Sequence, residues 1–309
     1  MEFKHQPVML EECIKGLNIK KDGIYVDGTI GGAGHSREIV KKLSEKGLLI
    51  GIDRDDDALS ASAKILETYK NVKLVYGNHD DIKQILEQLG IEKVDGILLD
   101  LGVSSYQLDE KTRGFSYLGE NKLDMRMDKN QELTAKKVVN EYKQEKLADI
   151  IYNYGEERFS KIIARNICEY RKNETIETTK QLVEIIKRSI PLSKQKDGHP
   201  AKRTFQAIRI EVNNEIEPLE NSIKDCIDVL KPAGRLCVIT FHSLEDRAVK
   251  NVFNTAQGIC TCPKDLPYCV CGAKQLGKII NKKPIIATEN EQKENTRSKS
   301  AKLRIFEKI

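Results

Sequence analysis

The chain opens with a regular exchange of short apolar runs and amphipathic stretches. GIYVDGTI, LLIGID, VKLVYG and VDGILLD, all within the first hundred residues, are apolar runs of strand length. The segments between them, 35–46, 57–68 and 80–89, carry helical spacing. The runs are nearly continuous rather than alternating, the pattern of strands covered by helices on both faces. Alternation of this kind predicts a parallel sheet in an open α/β fold, whose ligands bind beyond the carboxyl ends of the strands.

After DLGVSSYQLD the rhythm changes. ELTAKKVVNEY, KLADIIYNYG, ERFSKIIARNICEY and TKQLVEIIKRSI have helical spacing, and no strand is expected from about 109 to 211. The α/β pattern then returns with a helix at 214–230, a strand RLCVITF at 235–241 and a helix in SLEDRAVKNVF. PIIAT and AKLRIFE are expected as a terminal strand pair, and the Lys-, Glu- and Asn-rich 289–300 as a flexible loop. The expected organisation is an α/β domain in two parts, 1–108 and 212–309, interrupted by an all-helical insertion at 109–211.

The first run leads into YVDGTIGGAGHS, where Gly28, Gly31, Gly32 and Gly34 remove the β-carbons that would keep a ligand off the main chain. HSREIVKKL then begins a helix, so the turn lies at a helix N-terminus and suits a nucleotide or an anion. The dinucleotide fingerprint G-x-G-x-x-G is incomplete, because Arg37 stands where its third glycine belongs, and the phosphate-binding G-x-x-x-x-G-K-[ST] is absent. Asp53 closes the second run, placed either to accept from ribose hydroxyls or to cap the following helix together with Asp55 to Asp57. His79, after the third run, could stack on an adenine, ligate a metal, switch with pH, or do none of these. The fourth run brings Asp100, the hydroxyls of Ser104 and Ser105, and Gln107 to the same rim.

Composition narrows the class. Of 309 residues 39% are apolar and 32% charged, which describes a globular protein with a substantial core. No apolar run approaches the roughly 20 residues of a membrane helix. MEFKHQPVML lacks the charged-then-apolar layout of an export signal, so a reducing cytoplasm is expected and disulfides are not. The net charge of +5 is unevenly spread: Lys274 to Lys308 holds ten Lys or Arg against four Glu, and Lys187 to Arg209 seven against the single Asp197. Two basic segments point to a polyanionic partner, or else to a solvated face and a tail. Within the second, Arg203 and Arg209 are candidate RNA contacts, and Phe205 is either a stacking ring or core. Cys13, Cys168, Cys226 and Cys237 lie in apolar patterns as inert core residues. Cys260, Cys262, Cys269 and Cys271, in CTCPKDLPYCVC, could wrap a structural zinc or form a loop of reduced thiols.

Taken in order, D-G-T-x-G-G-x-G-H-S, the acidic end of the second run, D-L-G-V-S-S, GFSYLGENKLDMRMD (114–128), YGEERFSKIIARNI (154–167), HPAKRTFQAIRIEVNNE (199–215), GRLCVITFHSLEDRAVK (234–250) and RSKSAKLRIFE form a distinctive set. The chain resembles the bacterial methyltransferases that modify a cytidine of small-subunit (16S) ribosomal RNA on its exocyclic N4 amine. That resemblance implies a class I methyltransferase-like, doubly wound, mostly parallel seven-stranded sheet with an RNA-recognising helical insertion. It implies S-adenosylmethionine as cofactor, with Gly34, His35 and Ser36 lining its site, Asp53 on the ribose, His79 beside the adenine, and Asp100 and Gln107 completing the pocket. Relatives often carry an aromatic residue in place of His79. The partner implied is 16S ribosomal RNA, free or within the small subunit, with no membrane and with room for a homodimer. The [N/D/S]-P-P-[Y/F] turn of many amine methyltransferases is replaced by D-L-G-V-S-S, so no base is assigned among Asp100, Ser104 and Ser105. A nicotinamide-dependent oxidoreductase would explain Asp53 but fails on the missing glycine. A non-catalytic RNA-binding module would explain the basic segments but not the cofactor rim.

Overall fold

The computed structural model describes residues 7–195, 198–258, 262–263, 265–268, 270 and 274–309, with residues 105, 109 and 111 described by their backbone alone. Its strands are β1 (Ile24–Asp27), β2 (Leu48–Asp53), β3 (Val72–Tyr76), β4 (Val94–Asp100), β5 (Leu230–Thr240), β6 (Gly277–Ile279), β7 (Ile285–Ile286) and β8 (Lys302–Lys308). They form one sheet in the order β3-β2-β1-β4-β5-β8-β6, with β7 also on β8. The first five strands are mutually parallel, and β8 runs antiparallel to β5. The chain winds outward from β1 to β3 and then returns to place β4 on the other side of β1. The topological switch point therefore falls between β1 and β4, where such sheets bind ligands.

The expected sheet had seven strands, whereas eight are present among the described residues because the outer partner of β8 is split. β6 pairs with Phe306–Lys308 and β7 with Lys302–Leu303, both antiparallel. Between them Asn281 takes over the ladder: its Oδ1 accepts from Ile305 N–H at 2.8 Å and its Nδ2 donates to Leu303 C=O at 2.9 Å. A side-chain amide has the same donor and acceptor pair as a peptide unit, so the edge of β8 stays satisfied where the strand breaks. The expected helix over 214–230 is also divided. Asn214, in the left-handed conformation at φ 48°, ends the helix Lys202–Asn213, and the next helix, Leu219–Asp228, starts after Pro218.

The stretch 289–300 is ordered instead of a flexible loop. Thr288 caps the helix Glu289–Glu294, whose Glu291 carboxylate accepts from Met9 N–H at 2.7 Å, and a 3-10 turn, Thr296–Ser300, follows. Composition alone hid this tie, because it joins residues 282 positions apart.

Two compact units result: Met1–Gly102 with Ile216–Ile309, and Val103–Glu215. In the first, the sheet is buried on both faces. Ile82, Ile85, Leu219, Ile223, Val249 and Phe253 cover one side, and Cys13, Leu17, Ile39 and Leu66 the other. The second is helical and has its own core, including Val138, Ile151, Ile163, Ile186, Phe205 and Ile208. It is longer than the expected 109–211 at both ends. At the C-terminal flank Asn213 binds the backbone of Met125 and Met127, and within the expected range Arg113 donates to the carbonyls of Arg126 and Met127. Cys13, Cys226 and Cys237 are buried with thiol pKa values raised foremost by that burial, as inert core residues require. Cys168 is half-buried.

Candidate cofactor site at the strand tips

Three neighbouring parallel strands each end in a carboxylate: Asp53 on β2, Asp27 on β1 and Asp100 on β4. The glycine turn that follows β1 is laced to all three. Gly31 N–H donates to Asp53 Oδ2 at 2.9 Å, Thr29 N–H to Asp27 Oδ1 at 3.3 Å, and Asp100 N–H to Thr29 Oγ1 at 2.7 Å. Ser62 Oγ donates to Gly31 C=O at 2.7 Å from the helix Asp56–Leu66. Gly31 and Ala33 both adopt left-handed φ, 48° and 55°, and Ala33 does so without glycine's freedom, which is strain held by these bonds. A β-carbon at Gly28 would strike Leu99 and crowd His79, whereas one at Gly32 would meet nothing within 4 Å. The turn is thus packed on its strand side, open at Gly32, and closed again at Gly34, where a β-carbon would strike Pro7.

Of the two readings of Asp53, the helix cap belongs to Asp55, whose side chain accepts from Asp57 N–H. Asp53 receives N–H groups from Gly31 and Asp55 on separate oxygens, and burial raises its pKa against those bonds. His35 and Ser36 open the helix Gly34–Val40 with buried side chains. His35 Nε2 lies 3.0 Å from Val8 C=O, and Ser36 Oγ donates to Asp27 Oδ2 at 2.7 Å. Burial holds His35 down at about 4, so it is neutral at pH 7. His79 Nδ1 lies 2.7 Å from Ser222 Oγ, which fixes the ring at the end of β3.

Asp100 is the outlier. Its Oδ2 is 3.9 Å from His35 Nδ1, and among the described residues its buried Oδ1 has no hydrogen-bond partner. Burial, then the charges of Asp27 and Glu245, push it up to about 8. Asp27, raised to about 6 by burial, and Glu245, just after β5, were not singled out in the sequence. The signal for Asp27 was present: three apolar runs, IYVD, LLIGID and GILLD, each close on Asp.

Gln107, Ser104 and Ser105 belong to the helical unit. Ser104 and Gln107 form a capping box: Ser104 Oγ accepts from Gln107 N–H at 3.2 Å, and Gln107 Oε1 from Ser104 N–H at 3.1 Å. Arg203, exposed, donates to Glu156 C=O at 2.9 Å. Arg209, expected as an RNA contact, turns inward instead. It is largely buried in a bidentate pair with Glu215 at 2.9 and 2.8 Å, so among the described residues the exposed cations of this segment are Lys187, Arg188, Lys194, Lys202 and Arg203. Phe205 is core, edge-on to Tyr117, on which His199 stacks. Of the four clustered thiols, Cys260, Cys269 and Cys271 lie outside the described residues, and Cys262 Sγ accepts from Val270 N–H at 3.3 Å.

A doubly wound sheet whose added strand runs antiparallel, with acid-tipped strands around a glycine turn at its switch point, defines a class I S-adenosylmethionine-dependent methyltransferase. The chain belongs to the MraW methylase family, which matches residues 2–309. It is 57% identical over 311 residues to a Lachnospira eligens protein, covering 100% of this chain and 99% of that one. A Clostridium botulinum protein is 57% identical over 309 residues, and one from Ruminiclostridium cellulolyticum 55% over 313, each with full coverage of both chains. All three are named ribosomal RNA small subunit methyltransferase H.

Proposed function

We propose that this methyltransferase carries the methyl group of S-adenosylmethionine to the exocyclic N4 amine of a cytidine in 16S ribosomal RNA of the small subunit. One observation carries the cofactor assignment: three strand-tip carboxylates surround an open glycine turn, and one of their buried oxygens has no partner among the described residues. A cationic nucleoside suits that donor-poor, acid-rich rim. The substrate follows from the family and from what its relatives are named for.

In this reading Asp53 accepts from the ribose hydroxyls, the backbone from Gly31 to Ser36 lies against the cofactor, and His79 sits beside the adenine. Bound S-adenosylmethionine supplies an electrophilic methyl on a sulfonium, a good leaving group. The chain's task is alignment of the amine to about 3–3.5 Å and exclusion of water. A cytosine amine is a weak nucleophile, so an acceptor for its N–H favours the transition state. Among the three candidates Asp100 fits that role best, since Ser104 Oγ already accepts a capping bond and Ser105 is described by its backbone alone. The exposed cations of the helical unit offer a surface for RNA phosphates. Burial first, then Lys187, lowers the pKa of His199, which places that lysine near the HPAKR segment. Among the described residues no helix is long and apolar enough to cross a membrane, and a ribosomal RNA substrate implies a cytoplasmic enzyme.

Mass spectrometry of 16S nucleosides from cells with and without the protein tests the assignment. Loss of one N4-methylated cytidine is expected, and an unchanged profile rejects the substrate. The thiol cluster is tested apart from activity. If it holds zinc, protein purified without chelator should carry about one equivalent, lost in the Cys260→Ser, Cys262→Ser variant. Metal-free, fully active protein would leave it a loop of reduced thiols.

A further inference from the structure

The charged groups that act directly on Asp100 are both carboxylates. Asp27 faces it from β1, 2% exposed, and Glu245 from the helix Ser243–Ala256, also 2% exposed. Among the described residues these are the two charges that act on Asp100, and both are negative. His35, from the helix Gly34–Val40, is neutral. With its Nε2 engaged by a carbonyl that can only accept, the proton sits on Nε2 and the lone pair on Nδ1, 3.9 Å from Asp100 Oδ2. Cys13, on the helix Leu10–Leu17, is a neutral thiol whose pKa is raised by burial, then Cys237, then Asp100. Glu245 itself lies against His242, whose Nε2 is 3.0 Å from its Oε1, while Lys302 and Arg304 of β8 are engaged by Asp246 at 3.2 and 2.7 Å.

We propose that Asp100, backed by Asp27 and Glu245, makes the site select by charge, taking the sulfonium form of the cofactor in preference to the demethylated thioether product. This rests on the cofactor reading above and goes beyond it. S-adenosylmethionine and S-adenosylhomocysteine differ by one methyl group and one positive charge, so the ratio of their affinities isolates the response to the sulfonium. At pH 7 the free site holds a proton on Asp100, whose pKa is about 8. A sulfonium brought into this acidic corner favours the carboxylate and expels that proton to solvent, one charge entering as one leaves. When the methyl departs, the thioether offers no charge, Asp100 regains a proton, and the product loses its hold.

The sign follows from the direction of the shift. A carboxyl protonated in the free site resists a cationic ligand below its pKa, so affinity for the sulfonium is fullest above about 8 and falls as pH falls through the range beneath it. Titration calorimetry of the full chain at pH 6, 7 and 8, in buffers of different ionisation heat, should show S-adenosylmethionine gaining up to roughly tenfold in affinity per pH unit with release of about one proton. Sinefungin, whose amine supplies a charge in place of the sulfonium, should follow it. S-adenosylhomocysteine should stay within about threefold across the range and release no proton. In Asp100→Asn the profile for S-adenosylmethionine should flatten while S-adenosylhomocysteine affinity holds. The proton count on the unaltered chain decides the matter even if that variant folds poorly. Parallel pH profiles for both ligands, with no difference in protons released, would overturn the charge selection and leave the cofactor reading standing. Failure of both ligands to bind would remove both.

Discussion

Replacing Asp53 by Ala should lower S-adenosylmethionine affinity by roughly a hundredfold, with the fold intact. Two losses combine. A charge-assisted hydrogen bond to a ribose hydroxyl contributes about 1.5–3 kcal/mol, and each 1.4 kcal/mol is about tenfold in affinity. The same substitution frees Gly31 N–H from Asp53 Oδ2, and with it the left-handed turn against which the cofactor would lie. Asp53→Asn offers one acceptor oxygen in place of two, so it should fall between the parent and the alanine variant, near tenfold. The fold should persist because Asp55 caps the following helix and Asp53 sits at the end of its strand, but Gly31 and Asp55 N–H each lose an acceptor, so the melting temperature should fall by several degrees. Calorimetric titration with thermal melts of each variant checks this, and unchanged affinity in the alanine variant would take Asp53 out of the ribose site.

The strand-tip carboxylates also show where the sequence was legible. Apolar runs ending on Asp located Asp53 and Asp100, because a parallel strand buried on both faces leaves a polar residue only at its rim. Asp27 ends its run in the same way, but it also opens the glycine motif, whose bare backbone is the stronger signal. The side-chain directions of His35 and Ser36 could not be read, since whether a residue at a helix start points outward or inward depends on tertiary partners, here Val8 and Asp27. Order in 289–300 was hidden for the same reason. Its composition is that of a solvated loop, and the contact that fixes it comes from Met9. The insertion was visible as a change of period, but its ends were not. Asn213 extends it through bonds to distant backbone that no periodicity records. The split edge strand was missed because three residues, Gly277–Ile279, are too short to show a period.

Arg209→Ala should destabilise the helical unit by about 3–5 kcal/mol, the usual consequence of leaving one partner of a buried ion pair alone. Arg209 resembles a phosphate-binding residue because it lies in a basic run, but a run in sequence winds around a helix. On Lys202–Asn213 the positions of Lys202 and Arg203 face solvent while Arg209 turns to Glu215, with side chains 14% and 7% exposed. Glu215→Ala should cost a similar amount, and Arg209→Met with Glu215→Leu should recover much of it, because the double change leaves no unpaired charge. A different set of residues should carry RNA affinity. Lys187, Arg188, Lys202 and Arg203 are exposed, and the contact of Lys187 with Glu184 is an exposed pair that contributes little. Replacing all four by Ala should leave the melting temperature within a few degrees. It should also reduce the slope of log affinity against log salt by about 0.7–0.9 for each phosphate that is no longer neutralised, roughly three in total if each of the four side chains neutralises one. S-adenosylmethionine affinity should not move, since its proposed strand-tip carboxylates lie in the other unit. Salt-dependent binding to a 16S fragment, run beside thermal melts, separates the two sets. A stable Arg209→Ala variant with a flattened salt slope would return Arg209 to the RNA surface, and a quadruple variant with the parent's slope would move that surface elsewhere.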